Sequence, residues 1–481
     1  MKKIRLQVNA NKARIMLILL GIFAILISIS SASAIPGPSA VYVNTTGNDT
    51  SGTGTADNPF QTIQKGVDTI GTNGTVFIAD GVYSGTGNYN IKIHRDMTIK
   101  GQSQNGTILN GTNSNRVFDH INYNVILQQL TIVNSGSTYN WGGAVNIKKG
   151  NLTAIDCTFK DNNAYNGGAV NLDHKGEATA TLIRCTFINN HATERGGAIF
   201  SWNGNSLTVK ECTFINNTVG PGGYGGAIFL YENQYFEIIG NHFLNNNGSA
   251  IYINSANIGT ATKLLIANKI NFNRFFGNTQ YGIYYDIEQP SIGSVSAAAV
   301  LPNFDAKYNW WGSNAGPNTA NSDDTNLQSS LYTPWIVMKF SPSVVNMVGG
   351  TTTTIVANFL YDNLGGYHDP ANGHIPDNTP VLFTTTLGQV GSQQITKYTV
   401  NGVATAILKA WNAVGDPVNG IAYLTATTDA QTLTGQVTIT PKVNAASEEG
   451  TVGMQETGLP IAGLILAILA VLGGSFVPRR K

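Results

Sequence analysis

Cys185-Thr186-Phe187-Ile188-Asn189-Asn190, followed by Gly196-Gly197-Ala198-Ile199, decides how this chain folds, because it recurs. Cys157-Thr158-Phe159 leads to Asn162 and then to Gly167-Gly168-Ala169-Val170. Cys212-Thr213-Phe214 leads to Asn217 and then to Gly225-Gly226-Ala227-Ile228. Weaker copies start at Leu130, with Gly142-Gly143-Ala144-Val145, and at Asn241, with Gly248-Ser249-Ala250-Ile251. The starting positions 130, 157, 185, 212 and 241 lie 27, 28, 27 and 29 residues apart. A repeat of this length is the signature of a stacked array.

The alternation within each copy says which array. Counting the Cys position as zero, the residues at −5, −3, 0 and +2 are apolar or small: Leu152, Ala154, Cys157 and Phe159, then Ala180, Leu182, Cys185 and Phe187. Spacing by two is strand spacing. The step of three between −3 and 0 breaks the phase, so the chain turns a corner there. A further strand holds Val145 and Ile147, Val170 and Leu172, Ile228 and Leu230, Ile251 and Ile253. Three short strands per turn, with no helical pattern between them, predict a right-handed parallel β-helix, an all-β solenoid in which each coil pairs with the next. Stacking then sets Cys on Cys, Phe on Phe and Asn on Asn. The asparagines form an amide ladder, and the Gly-Gly pair suits a tight turn. The three cysteines share one inward position, which predicts buried free thiols acting as small apolar fillers.

Outward from the repeat, the early strands are predicted at Val41–Val43, Val76–Ile78, Ile91–Ile93, Met97–Ile99 and Thr107–Leu109. A capping helix is predicted from Asn58-Pro59 through Phe60, Ile63, Val67 and Ile70. Past Tyr285 the pattern decays toward Asn309-Trp310-Trp311-Gly312, where two tryptophans either cover the solenoid end or offer a platform for sugar stacking. Ser341–Pro441 alternates as about seven short strands, which reads as an immunoglobulin-like sandwich.

The ends address the chain. Lys2, Lys3, Arg5, Lys12 and Arg14 precede an apolar run and Ala32-Ser33-Ala34, the pattern of a secretory signal peptide. Ile461 to Val477 holds no charge and precedes Arg479-Arg480-Lys481, as a C-terminal membrane anchor does. The expected organisation is a signal peptide at 1–34, a β-helix at 35–340, a sandwich at 341–442, a linker at 443–459, a transmembrane helix at 460–478 and a cytoplasmic tail at 479–481. Charged residues are only 11%. With five basic residues in the leader and three in the tail, 20 basic and 27 acidic residues remain between them, a balance that excludes nucleic-acid binding. Eight glycosylation sequons begin at Asn44, Asn48, Asn73, Asn105, Asn110, Asn151, Asn216 and Asn247.

The Phe-x-x-Asn and Gly-Gly-Ala-Ile elements at Phe159/Asn162, Phe187/Asn190 and Phe214/Asn217 resemble the repeats of chlamydial polymorphic outer-membrane proteins. With Trp310-Trp311-Gly312 and the C-terminal anchor, the whole resembles adhesin-like surface proteins of methanogenic archaea. Asn58-Pro59-Phe60-Gln61-Thr62-Ile63 onward resembles the start of pectate-lyase-like β-helices. Ser341–Pro441 resembles the bacterial Ig-like modules of invasins and intimins. The resemblance implies a cell-surface adhesin displayed outside the cell, with glycans or other cell surfaces as partners. The alternatives are a polysaccharide lyase or glycoside hydrolase of the β-helix class, and a structural envelope protein.

The chemistry of β-helix lyases would require clustered calcium-binding acids and an arginine base, and no such cluster is visible. Asp323-Asp324 falls after the repeats. Asp119-His120, Asp173-His174 and Glu194-Arg195 are the acid/base candidates, the last two expected to share a face. Asp362, Asp369 and Asp377 sit with His368 and His374 in the long loop from Tyr361 to Thr379, an oxygen-rich loop of the kind that can hold Ca²⁺. Each run between ladder Asn and Gly-Gly differs in length and composition, as variable binding loops do. Tyr165, His191, Glu194, Arg195, Trp202 and Tyr224 are therefore the candidate binding residues, with Tyr231 beside them.

Overall fold

The computed structural model describes residues 37–173, 177–233, 235–254, 268–286 and 304–442. The predicted leader, linker, anchor and tail lie outside them. The chain up to Thr440 forms one compact unit. It contains a parallel β-solenoid followed by a two-sheet module.

The solenoid's first sheet has ten strands in order along the axis, from Ala40–Val43 to Phe304–Asp305. The second has eight, from Gly81–Tyr83 to Arg274–Phe276, and the third nine, from Ile91–Lys92 to Asp324–Thr325. All pair in parallel with the repeat in register: Phe159 beside Phe187, Phe187 beside Phe214, Phe214 beside Phe243. The corner predicted before position zero is a single residue in the left-handed region. Gln129, Asp156, Arg184, Glu211, Gly240, Phe272 and Tyr308 occupy it in successive coils, with φ from +49° to +67°. The second glycine of the pair serves close approach: a Cβ on Gly197 would lie 2.1 Å from the Gly226 carbonyl oxygen.

The core is a set of columns. Phe159, Phe187, Phe214, Phe243 and Phe275 stack with centroids 4.7–5.1 Å apart, and Trp311 closes the column at 5.0 Å. Cys157, Cys185 and Cys212 are buried free thiols in one column; burial and the neighbouring thiol push the Cys185 and Cys157 pKa values up. Asn162, Asn190, Asn217, Asn246 and Asn278 form the ladder. Each Nδ2 donates to the next Oδ1 at 2.8–3.0 Å. The same Oδ1 also accepts the backbone N–H of the preceding Asn. Asn190→Ala removes one acceptor serving two donors in a dry column, and it should cost about 3 kcal/mol in chemical denaturation. A loss below about 1 kcal/mol would mean that water replaces the amide.

The structure corrects three expectations here. First, the coils from Gly136 to Val219 carry four strands rather than three. Gly136–Trp141, Asn163–Asn166, His191–Arg195 and Thr218–Val219 pair as a fourth sheet. The runs read as variable loops are strands because Ala164, Ala192 and Val219 are buried between residues that are half-buried or exposed. Alanine is too weakly apolar to announce that alternation. Second, the capping helix is shorter than predicted and spans Ile63–Thr69. Its N-cap is Thr62, fixed by Asp49, which accepts from the Thr62 hydroxyl at 2.7 Å and from the Gln61 amide at 2.7 Å. Phe60 instead bridges to Val43. Third, Trp310 and Trp311 are both fully buried, so neither is a sugar platform.

The two-sheet module pairs Ile336–Pro342, Thr352–Asp362 and Val403–Lys409 in one sheet. The other holds Asn346–Val348, Gln431–Thr440, Gly420–Thr428, Pro380–Thr385 and Gln394–Tyr398. Its core takes in two solenoid residues, Phe272 and Trp310. A buried ion pair joins the parts. Arg274 Nε donates to Asp429 Oδ2 at 2.9 Å, its second nitrogen donates to the other carboxylate oxygen, and Trp310 Nε1 donates to Oδ2 at 2.6 Å. Beside them His242 Nε2 lies 3.0 Å from the Asp377 carbonyl oxygen; burial and Arg274 push the His242 pKa down to about 4.

Candidate functional site

On the third sheet, the middle residue of each strand faces away from the core. Register aligns these residues in one row along the solenoid: Lys92, Asp119 with His120, Asn146, Asn171, Phe200, Phe229, Tyr252 and Tyr284. The first half is polar and the second aromatic. Phe200 and Phe229 are almost completely covered although they point outward. The fourth sheet and its turn form one wall of the groove, because Arg195 lies over the Phe229 ring at 5.7 Å and Tyr224 packs on Tyr252 at 5.0 Å. On the other flank Trp202 is stacked between Trp141 at 5.4 Å and Tyr231 at 4.8 Å. At the far end Tyr252 and Tyr284 sit 4.9 Å apart, and the Tyr252 hydroxyl donates to Asp286 at 2.7 Å. Burial, then that carboxylate, raises the Tyr252 pKa.

The polar half opens into a cleft of about 830 Å³ lined by Asn90, Lys92, Arg116, Asp119, His120, Trp141, Asn146 and Asp173 among others. Arg116 is buried. Its Nε donates to the Gly142 carbonyl at 2.7 Å, and its other nitrogens donate to the Trp141 carbonyl and to Asp119. Burial lowers the Arg116 pKa, and Asp119 and Asp173 oppose that shift. His120 Nδ1 lies 2.8 Å from Asp119 Oδ1. Asn171 Nδ2 donates to Asn146 Oδ1 at 2.6 Å, while the buried Asn171 Oδ1 has no protein partner.

Of the predicted binding residues, Arg195 and Tyr224 reach the aromatic half and Trp202 flanks it. Tyr165 is exposed on the fourth sheet, and its hydroxyl meets Glu194, which raises its pKa. Glu194 also pairs with Arg195 at 3.1 Å. His191 begins the same strand, with Nδ1 2.8 Å from the Thr218 hydroxyl, and burial lowers its pKa. Of the two pairs expected to share a face, Asp173 lines the cleft with Asp119 and His120, and Glu194 and Arg195 end the strand His191–Arg195 of the fourth sheet. His174 lies outside the described residues. The suggested Ca²⁺ loop is not a metal cluster. Asp362 accepts from the Leu364 and Gly366 amides and pairs with His368, Asp369 caps Ala371, and Asp377 accepts from Asn401. Among the described residues no group of three or more His, Cys, Asp or Glu side chains is placed to hold a metal. Six sequon asparagines, Asn48, Asn73, Asn105, Asn151, Asn216 and Asn247, are exposed; Asn44 and Asn110 are half-buried.

Sequence reasoning missed Lys92, Arg116, Trp141 and the outward row. The row had a signal: in Ile199-Phe200, Ile228-Phe229-Leu230 and Ile251-Tyr252-Ile253 an aromatic residue stands where a solvent-facing strand position is ordinarily polar.

No curated protein matches this chain. A solved structure of a rhamnogalacturonan lyase aligns over 61% of this chain and 86% of its own, at 12% identity and a TM-score of 0.26. Residues 120–292, which hold the repeat and most of the outward row, match the family model described as right handed beta helix region.

Proposed function

We propose that this is a cell-surface, adhesin-like protein whose solenoid binds an extended glycan along the outward row of the third sheet. The observation that carries the reading is the groove that follows the row from Lys92 to Tyr284: Asn171, Phe200 and Phe229 form its covered floor, Lys92, His120 and Tyr224 stand exposed along it, and Trp141, Trp202 and Tyr284 are half-exposed. Eight rungs at strand spacing of ~4.8 Å make a track of roughly 34 Å, suited to a chain rather than a single sugar. Aromatic faces with a few placed amides and charges are what a polar ring with apolar faces requires. In this reading the leader at 1–34 exports the chain, the segment 460–478 anchors it, and the two-sheet module is an immunoglobulin-like spacer. Binding to other cells then follows from glycans on their surfaces.

The test is a glycan-array and whole-cell binding screen with the purified chain. Tyr224→Ala combined with Tyr284→Ala should weaken binding about tenfold, as loss of ~1–2 kcal/mol of ring contact implies. Tyr423→Ala, on an exposed strand of the two-sheet module, should leave it unchanged. Equal binding by all three proteins would remove the groove from the account.

A further inference from the structure

We propose that His120 is a general base that removes acyl esters from a neutral glycan held in the cleft; this rests on the glycan-binding reading above. The local backbone is built for it. Val145 pairs with Phe118, but Ile147 pairs with Ile121, so the Asp119–His120 strand holds one extra residue, and His120 adopts φ +50°. Bulges of this kind re-aim side chains and recur beside active sites, and left-handed non-glycine residues cluster there too. Arg116 is a buried clamp on the Asp119 carboxylate. Asp119 Oδ1 in turn lies 2.8 Å from His120 Nδ1, and a carboxylate on that side of the ring favours the tautomer in which Nε2 is the basic nitrogen. Among the described residues, Nε2 has no partner within hydrogen-bonding distance. Lys92, in register with Asp119 on the next coil, is exposed and pairs with no acid among the described residues.

The ligand class follows from the charges. Lys92 and Arg116 balance Asp119 and Asp173 around the cleft, which favours a neutral polymer over a polyanion. Cleaving its glycosidic bonds requires a pair of carboxyl groups, one of them an acid. Here Asp119 is already held by Arg116 and His120. One base and one cation suffice for an acyl ester. Nε2 takes a proton from water as the water oxygen bonds to the acyl carbon. The carbonyl oxygen becomes an oxyanion facing the Lys92 ammonium. The intermediate then collapses, the bond from acyl carbon to sugar oxygen breaks, and the imidazolium returns its proton to that oxygen. The products are a carboxylic acid and the free sugar hydroxyl.

The experiment incubates the full chain with O-acetylated glucomannan, follows acetate by NMR, and measures binding of acetylated and deacetylated polymer by calorimetry. Acetate release is expected. His120→Asn, which tolerates left-handed backbone, should lower kcat/KM at least ~100-fold with polymer affinity retained. Asp119→Asn, a positioning change, should lower kcat with KM unchanged. Binding without acetate release, or release that persists in His120→Asn, overturns the ester assignment and leaves the binding reading standing. New reducing ends in place of acetate overturn it in favour of glycosidic cleavage. Neither binding nor release overturns both.

Discussion

Asp429→Ala should destabilise the chain by about 3–5 kcal/mol in chemical denaturation, the cost of stranding a buried charge. Asp429 lies in the turn between the last two strands of the two-sheet module, and its side chain is almost wholly buried. It neutralises Arg274, equally buried on the solenoid's second sheet, and accepts the Trp310 indole N–H. Removing it leaves a guanidinium and an indole donor without their acceptor in a site closed to water. The double replacement Arg274→Met with Asp429→Leu should recover the share due to the stranded guanidinium, because a buried pair against apolar residues of similar size is close to neutral, while the unpaired Trp310 N–H keeps about 1–3 kcal/mol of the loss. The variant should also expose Trp310, with a red shift in its fluorescence. A single-variant loss under about 1 kcal/mol would show that the joint admits water and that the two parts are held by Phe272 and its neighbours alone.

The second large effect lies at the end of the asparagine ladder. Asp323 stands where the next asparagine belongs, and its carboxylate accepts from both the backbone N–H and the side-chain amide of Asn278. It is buried with no cation against it among the described residues, and burial pushes its pKa up to about 7 from 3.8. The folded state therefore binds a proton between about pH 4 and 7 that the unfolded state does not. Stability falls as pH rises through that window, by roughly 4 kcal/mol at most. Asp323→Asn supplies the same acceptor without the charge. It should match the parent near pH 4 and exceed it by a few kcal/mol at pH 8. His242, lowered to about 4 by burial, slopes the other way below pH 6.5, but it is common to both proteins and cancels in the difference. A variant no more stable than the parent at pH 8 would mean that Asp323 is hydrated.

Much of the fold was legible because a solenoid repeats its packing problem every coil. Phe187 sits between Phe159 and Phe214 because the same residue returns at the same phase, and Asn190 finds its amide partners for the same reason. The thiols of Cys157, Cys185 and Cys212 were placed correctly by their shared position. The fourth sheet was not legible, since Ala164 and Ala192 bury little area and their short runs resemble loops. The candidate site was half legible. Asp119-His120 and Asp173 were visible as titratable pairs, but their meeting depends on which coil stacks on which. Arg116 carries no signal in the sequence, because the Gly142 and Trp141 carbonyls that hold it come from the next coil.

The sequence by itself determined the coil: its length, its corners, its inward columns and the amide ladder, all consequences of a period that neighbouring copies read from one another. Only the tertiary structure decided where that period stops mattering. In the second sheet the outward slot held by Thr131, Thr158, Thr186 and Thr213 passes to His242 and Arg274. Arg274 meets Asp429 155 residues away. No local pattern encodes that pairing, because its energy comes from excluding water between two surfaces that only the folded chain brings together. The same holds for the groove. Cys185-Thr186-Phe187 builds the core, while the residues of the outward row lie between the repeating ones and acquire their neighbours from other coils.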